Sequence, residues 1–393
     1  MKNINISIFI FFIILLILFT SCKAFFGCIK PLCVSTMNIN QKKIYHCKQC
    51  QPFEYRDNHM YMETYVNGVL DTVLFDTGCN VLIIISNEKK LTHQRIRLNM
   101  PVYTLNQKLM YRIGINTYAI DNNLVSCKNA LGATILSSFL SYPCKEDIVA
   151  FSHKILGFDL LPGNEQVLYI NFSNHTLCVD SVADTTGYVR LESYFSRNSK
   201  LYIALTVDSL KYSFYFDTGN QGCLRFTKQQ YAAHAKSNDV FFEGLTSYGL
   251  DGMIFNNDTS IQQNYVNVFY ADTCSLIAQK LYYFDTVGEN NVGLGFISHF
   301  DWIIDAKNKA VYAKVLPVSD KPKEIKYPMY MTAVLNDTLM ISVRNLNLSP
   351  QLPLFKRIVS VDGVAVTPEN CCYYKNLLNS NPNWNEFNIV IEE

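Results

Sequence analysis

Two aspartates sit in the same setting: Phe75-Asp76-Thr77-Gly78 recurs as Phe216-Asp217-Thr218-Gly219. Each copy ends an apolar run, Val73-Leu74-Phe75 in one and Phe214-Tyr215-Phe216 in the other, so each Asp is expected at the tip of a strand. Two carboxylates brought face to face cannot both ionise, and such a pair holds one proton at working pH. That state suits general acid–base hydrolysis. One Asp takes a proton from a water molecule while the other, protonated, hydrogen-bonds the carbonyl under attack. Gly78 and Gly219 allow a tight turn directly after the carboxylate. Thr77 and Thr218 are expected to lock the two loops by hydrogen-bonding the backbone of the facing copy.

One Asp-Thr-Gly alone fits an ordinary strand that ends in a turn. The flanks argue for more. Asn67-Gly68 lies between apolar runs as a two-residue hairpin turn, with Val66 ten residues before Asp76. Asp208-Ser209 occupies the same place in the second copy, with Val207 ten residues before Asp217. Downstream, Ile155-Leu156-Gly157-Phe158 follows the first Asp and Gly293-Leu294-Gly295-Phe296 the second, at similar offsets. Each Leu-Gly-Phe leads to an apolar strand and a polar turn: Val167 to Ile170 then Asn171 to His175, and Trp302 to Ile304 then Asp305 to Lys309. A unit of about 135 residues therefore occurs twice, a tandem duplication rather than a short-period array.

With 393 residues the chain has room for two or three domains with real cores. Aromatics make up 13%, which leans towards β-rich structure. Net charge is +1, and no basic run is longer than Lys89-Lys90, so a nucleic-acid partner is not expected. Lys2 precedes twelve apolar residues, Ile8 to Phe19, then Thr20-Ser21-Cys22. That run is short for a membrane span and suited to a signal-peptide core. Small residues before a Cys resemble a bacterial lipoprotein cleavage box, although Phe19 stands where that box usually has Leu. The resemblance implies that Cys22 is lipidated and that the protein is exported and membrane-anchored, in the periplasm or at the cell surface.

Without Cys22, 12 of the 13 cysteines remain, an even number that in an exported chain suggests disulfides of undetermined pairing. Cys28, Cys33, Cys47 and Cys50 have spacings that also suit zinc, though export favours disulfides or free thiols. Adjacent Cys371 and Cys372 cannot easily bridge each other. No His-Glu-x-x-His helix, Gly-x-Ser-x-Gly elbow or P-loop occurs, and the seven histidines lack metal-ligand spacing. No metal or cofactor is expected.

With these residues in view, the chain resembles the pepsin and retropepsin superfamily of aspartic proteases. It is most similar to bacterial exported retropepsin-like proteins that carry a C-terminal PDZ-like unit. The resemblance spans about residues 55–318. It implies a mostly β protein of two tandem retropepsin-like (acid protease) β-barrel lobes, 55–183 and 184–318. A signal peptide (1–21) and a Cys-rich tether (22–54) come before them, and a small PDZ-like domain (319–393) follows. It implies Asp76 and Asp217 as one catalytic dyad within a monomer, and Thr77, Gly78, Thr218 and Gly219 as its supporting loops. It also pairs Ile155-Leu156-Gly157 with the first loop and Val292-Gly293-Leu294-Gly295 with the second. The substrate would be a peptide or protein.

The family usually places Ser, Thr or Ala after Asp-Thr-Gly; here Cys79 and Asn220 stand there. Asn220 is expected to be able to donate to a carboxylate, and Cys79 only weakly. Flap segments are sought at Met110 to Gly114 and at Ser247-Tyr248-Gly249. The C-terminal unit is read from Ile358-Val359-Ser360-Val361-Asp362-Gly363-Val364-Ala365-Val366 as a hairpin, with a last strand at Phe387 to Ile391. It lacks an obvious Gly-Leu-Gly-Phe carboxylate-binding loop, which weighs against peptide capture by strand addition. The alternative from another class is a non-catalytic surface protein that binds peptide or protein between the lobes.

Overall fold

Short hairpins with left-handed turns organise the chain from Lys43 onward. The computed structural model describes residues 42–56, 58–79, 81–86, 96–103, 108–136, 144, 154–158, 166–196, 200–237, 239–249, 252–271, 274–283, 289–317, 328–335, 337–348 and 352–392. The signal segment, Cys22, Cys28, Cys33 and the polar stretch Ser319 to Glu324 lie outside them.

The first half contains β1 (Lys43–Tyr45), β2 (Cys50–Pro52), β3 (Glu54–Arg56), β4 (His59–Val66), β5 (Val69–Asp76), β6 (Leu82–Ser86), β7 (Ile96–Tyr103), β8 (Lys108–Asp121), β9 (Val125–Leu136) and β10 (Lys154–Gly157). β4 and β5 form a hairpin about Asn67 and Gly68, at φ 53° and 79°. Both turn residues are left-handed, the geometry that matches strand twist in a two-residue loop. Six strands then close on themselves in the order β4-β5-β10-β6-β9-β8 and back to β4 through Tyr65↔Asp121 and Val66↔Ile120. β5–β10 and β6–β9 are parallel, and the other contacts are antiparallel. Closure leaves no sheet edge in the ring. β11 (Val167–Asn171) and β12 (Thr176–Asp180) follow.

The second half runs through β13 (Val189–Leu191), β14 (Ser193–Phe195), β15 (Leu201–Val207), β16 (Leu210–Phe216), β17 (Leu224–Phe226), helical turn α1 (Lys228–Tyr231), β18 (Val240–Gly249), β19 (Gly252–Ala271), β20 (Cys274–Tyr283), β21 (Asn291–Val292), helical turn α2 (Leu294–Ile297), β22 (Phe300–Asp305) and β23 (Ala310–Val315). Asp208 and Ser209 turn β15 into β16 at φ 48° and 69°. Six strands again close a ring, β15-β16-β21-β17-β20-β19, sealed by Thr206↔Phe269 and Val207↔Val268. The parallel contacts are β16–β21 and β17–β20, the same places as in the first ring. The duplication inferred from sequence is thus repeated in strand order and strand direction.

A third sheet joins the halves, in the order β13-β23-β22-β11-β12-β2. At its centre β11 and β22 pair as Leu168↔Ile304 and Ile170↔Trp302. These residues are fully buried in one core that also holds Phe75, Leu156, Phe216 and Val292. Trp302 donates its indole N–H to the Ile297 carbonyl (2.8 Å) and meets Phe216 edge-on at 4.9 Å. Truncating such a residue costs about 3–5 kcal/mol. The floor beneath both Asp-Thr-Gly loops is therefore one continuous core of side chains.

The segment read as a tether is in part built into this framework. β1 pairs with β9, β3 with β4, and β2 with β12, where a disulfide joins Cys50 to Cys178. Cys50 is thereby removed from any zinc set, and no cluster of three or more metal-binding side chains occurs among the described residues.

The C-terminal unit has β24 (Tyr330–Leu335), β25 (Thr338–Asn345), β26 (Ile358–Val361), β27 (Val364–Ala365), α3 (Cys371–Ser380) and β28 (Ile389–Ile391). The expected hairpin about Asp362 and Gly363 forms, both at positive φ, and β28 pairs with β26. Tyr330, Leu339, Ile341, Ile358, Leu378 and Trp384 make its core. It is not detached from the rest. β25 pairs with β18, and Cys372 is disulfide-bonded to buried Cys144 of the first half. Among the described residues no helix is long and apolar enough to cross a membrane.

Candidate active site

Each Asp-Thr-Gly follows directly from its hairpin: β5 ends at Asp76, and Asp217 follows the last residue of β16. The turns close identically, by Cys79 N–H to the Asp76 carbonyl (3.2 Å) and Asn220 N–H to the Asp217 carbonyl (3.3 Å). A glycine from the next strand supports each turn. Gly157 pairs with Asp76, and a Cβ there would lie 2.5 Å from Val81 N and 2.7 Å from the Cys79 carbonyl. In the second half that position belongs to Gly293, not to Gly295 as the repeated Leu-Gly-Phe string suggests. Val292 pairs with Phe216 as Leu156 pairs with Phe75. The Leu294 N–H reaches the Asn220 carbonyl at 2.7 Å, as Phe158 N–H reaches that of Cys79 at 2.7 Å. Gly295 lies inside α2 instead. Asn291-Val292-Gly293 is thus the counterpart of Ile155-Leu156-Gly157.

The two loops interlock. Thr77 N–H donates to Thr218 Oγ1 (2.9 Å) and Thr218 N–H to Thr77 Oγ1 (2.9 Å). Each hydroxyl then donates across to the other half, Thr77 to the Phe216 carbonyl (2.9 Å) and Thr218 to that of Phe75 (3.1 Å). All four groups are buried, where an unmade hydrogen bond costs about 1–3 kcal/mol. The glycines make room crosswise. A Cβ on Gly78 would lie 2.6 Å from Asp217 Oδ1, and one on Gly219 would lie 2.5 Å from Asp76 Oδ1.

Asp76 and Asp217 are therefore brought together, each carboxyl lying against the glycine of the opposite loop. Gly78 N–H donates to Asp76 Oδ1 (2.6 Å), and Gly219 N–H to Asp217 Oδ1 (2.9 Å). Both side chains keep some solvent access, so water can reach them. Asp76 is nonetheless enclosed enough that desolvation pushes its carboxyl well above the usual range. The Asp217 charge pushes the same way, against the main-chain donors Gly78 and Gly219. Asp76 can therefore keep a proton above the pH at which an ordinary Asp has lost it.

Behind the first loop, Tyr215 donates its hydroxyl to the Thr77 carbonyl (3.2 Å). Burial, then the two Asp charges, raise this phenol well above its ordinary value. Lys200 lies over its ring at 4.2 Å and pairs with Glu289 at 3.1 Å, which also accepts from Tyr202 (2.6 Å). His59 of the first half reaches the Gln221 side chain of the second loop at 3.0 Å. The seam between the halves is thus packed and hydrogen-bonded on both sides of the carboxyls.

The residues after the two tripeptides behave differently from expectation. Asn220 does not donate to a carboxylate; its amide donates to Asn291 Oδ1 (2.7 Å), and Asn291 donates to Asp217 Oδ2 (2.7 Å). Cys79 turns its thiol to the Val81 carbonyl (3.1 Å). Asn291, Arg225 and Tyr215 are the site residues that sequence reasoning missed. The Leu-Gly-Phe alignment hid the first two by setting Gly293 against Ile155; strand register shows Asn291 and Arg225 facing each other in the β17–β21 ladder, where Ile155 and Ile83 face each other in the first half. Polar residues at two apolar positions of a duplicated core mark a departure from packing alone.

Of the flap candidates, Met110 to Gly114 lies on the β7–β8 hairpin and Ser247-Tyr248-Gly249 near the tip of β18–β19. The two hairpins correspond in the duplicated order, and the side chains of Met110 to Ile113 and Ser247 to Tyr248 lie outside the described residues. No protein-family model matches the chain, and no curated protein matches it in sequence.

Proposed function

We propose that this protein is an aspartic endopeptidase whose site is formed by Asp76 and Asp217 of one chain. The observation that carries the reading is the carboxyl pair, held together by two threonine-interlocked loops with glycines clearing space for the opposite carboxylate. A protein that merely bound peptide would have no need to force two carboxyls into contact, since that contact costs free energy wherever both tend to ionise. In hydrolysis the ionised carboxylate takes a proton as water oxygen bonds to the carbonyl carbon. The protonated one gives its proton to the carbonyl oxygen. Collapse of the resulting diol breaks the C–N bond, with the proton passing to the leaving nitrogen. The steps need neither a metal nor a covalent intermediate.

The finer fold reading belongs to the same proposal. Two six-stranded rings of identical order support tandem retropepsin-like lobes with the substrate lying between them, under the β7–β8 and β18–β19 hairpins. For the PDZ-like unit, the edge strand β24 argues against strand addition at Thr332. Its N–H and carbonyl are both taken by the Asn379 side chain, at 2.7 and 3.0 Å. Export and anchoring through Cys22 rest on the sequence of the first 22 residues. A Cys22→Ser variant that still partitions with membranes would remove the lipid-anchor part.

The test is fluorogenic peptide cleavage between about pH 3 and 7, with and without a pepstatin-type inhibitor, on wild type, Asp76→Asn and Asp217→Asn. Folded variants are expected to lose cleavage entirely, and the inhibitor to suppress the wild type. Cleavage near the wild-type rate in either variant would sink the assignment. Zero cleavage by folded wild type at every pH would favour peptide binding without chemistry.

A further inference from the structure

We infer that Asn291 is a positioning residue that holds Asp217 as the proton-accepting member of the pair and leaves the shared proton on Asp76; the inference rests on the hydrolytic reading above.

The polarity of the chain behind Asp217 is determined by groups that only donate. Asn220 Oδ1 faces the Gly222 N–H at 2.9 Å and the Arg225 guanidinium at 3.4 Å. Neither of these can accept a hydrogen bond, so this end of the Asn220 amide is its oxygen. Asn220 Nδ2 therefore points to Asn291, which must present Oδ1 to it, and that leaves Asn291 Nδ2 aimed at Asp217 Oδ2. An amide that elsewhere could flip is here held in one orientation. Gly219 N–H supplies the other Asp217 oxygen. Both oxygens of Asp217 thus face fixed donors, which is the environment of a carboxylate rather than of a carboxylic acid.

Nothing equivalent stands behind Asp76. The counterparts of Asn291, Arg225 and Asn220 are Ile155, Ile83 and Cys79. Two of these have no polar side-chain atom, and the thiol is spent on the Val81 carbonyl. Among the described residues no side-chain amide donates to Asp76. The desolvation of Asp76 acts in the same direction. Asn291 and Arg225 are buried, at 4% and 6% exposure, so water cannot readily replace the missing donor in a variant. The other titratable group beside the pair is the Tyr215 phenol, held by the Thr77 carbonyl, and the two carboxyls and the Cys79 thiol all act on that phenol. Asn291 reaches the reacting atoms only through Asp217.

The experiment compares wild type with Asn291→Leu, which keeps the volume without the donor, and Asn291→Ile, which installs the residue of the first half. For both, kcat is expected to fall about tenfold with KM within about twofold, as befits loss of one hydrogen bond to a charged group. The acid limb of the pH–rate profile should move up by about one unit, because more protons must leave before a base is available, while the alkaline limb moves less. A fall in kcat matched by a smaller folded fraction, with the acid limb unmoved, would make Asn291 purely structural and overturn the inference.

Should the variants not fold, carboxyl-carbon NMR of wild type decides. Asp76 is expected to titrate at the higher pH of the two, and the reverse order overturns the inference. Failure of the parent reading looks different: wild type would cleave nothing at any pH, whichever order the carboxyls titrate in.

Discussion

The two Asp-Thr-Gly loops share a backbone and differ in what stands behind it. Around Asp76 the supporting positions carry Cys79, Ile83 and Ile155; around Asp217 they carry Asn220, Arg225 and Asn291. The main-chain turns, the glycine under each turn and the threonine hydroxyls are the same in both halves to within a few tenths of an ångström. Positioning is therefore symmetric while electrostatics is not. A dyad needs both properties, since two equal carboxylates in one place must be made unequal before one can act as acid and the other as base. Duplication supplies the geometry, and three polar replacements in one copy supply the difference.

The largest expected effect tests the symmetric part. Gly219→Ala puts a methyl where the Asp76 carboxyl lies, and Gly78→Ala one where that of Asp217 lies. Displacing either carboxyl by about 1 Å should cost about 100-fold in kcat. If one variant stays near the wild-type rate, the carboxyl that its methyl would meet is not needed where the structure puts it. Next come Thr77→Val and Thr218→Val, each of which strands two buried main-chain groups. Denaturant unfolding should show losses of about 2–4 kcal/mol, similar for the two. A marked inequality would mean that one half bears the interlock alone.

The asymmetric part has a signature in stability. The folded state raises Asp76, so it binds a proton that the unfolded chain has already released above about pH 4. This contribution is fully present below that pH and is lost as pH rises towards the folded-state value. Asp76→Asn removes the titration. Its Tm should exceed that of wild type at pH 7, with the advantage shrinking towards pH 4. A difference that is flat with pH would show that Asp76 gains no proton on folding. The smallest effect is expected from Tyr215→Phe, at about 1 kcal/mol, for the single bond to the Thr77 carbonyl that Leu74 in the first half cannot make. An unchanged unfolding midpoint would mean that water replaces the phenol there.

Much of this is legible in the sequence. Asn67-Gly68 and Asp208-Ser209 announced their hairpins because a two-residue turn with both φ positive admits few residue types. The tripeptides were legible because a repeat at matching offsets has no local explanation; their glycines prove to be needed for space beside the opposite carboxyl rather than for a left-handed turn. Cys50 and Cys144 were not legible as partners of Cys178 and Cys372, since those contacts join residues 128 and 228 positions apart. The Gly-Leu-Gly-Phe string misled because its second glycine copies the spelling of the first half. Only strand register shows that Gly293 lies under the turn while Gly295 sits in a helical turn.

From the sequence alone followed the mostly β character, the duplication and the pair Asp76 and Asp217, all of them consequences of turn chemistry and side-chain alternation within a few residues. Ring closure, the crossing of Thr77 and Thr218, and the donor chain Arg225–Asn220–Asn291 were decided by tertiary structure. Each depends on which strand lies beside which and in what register, and that is set by burying one common core rather than by any local preference.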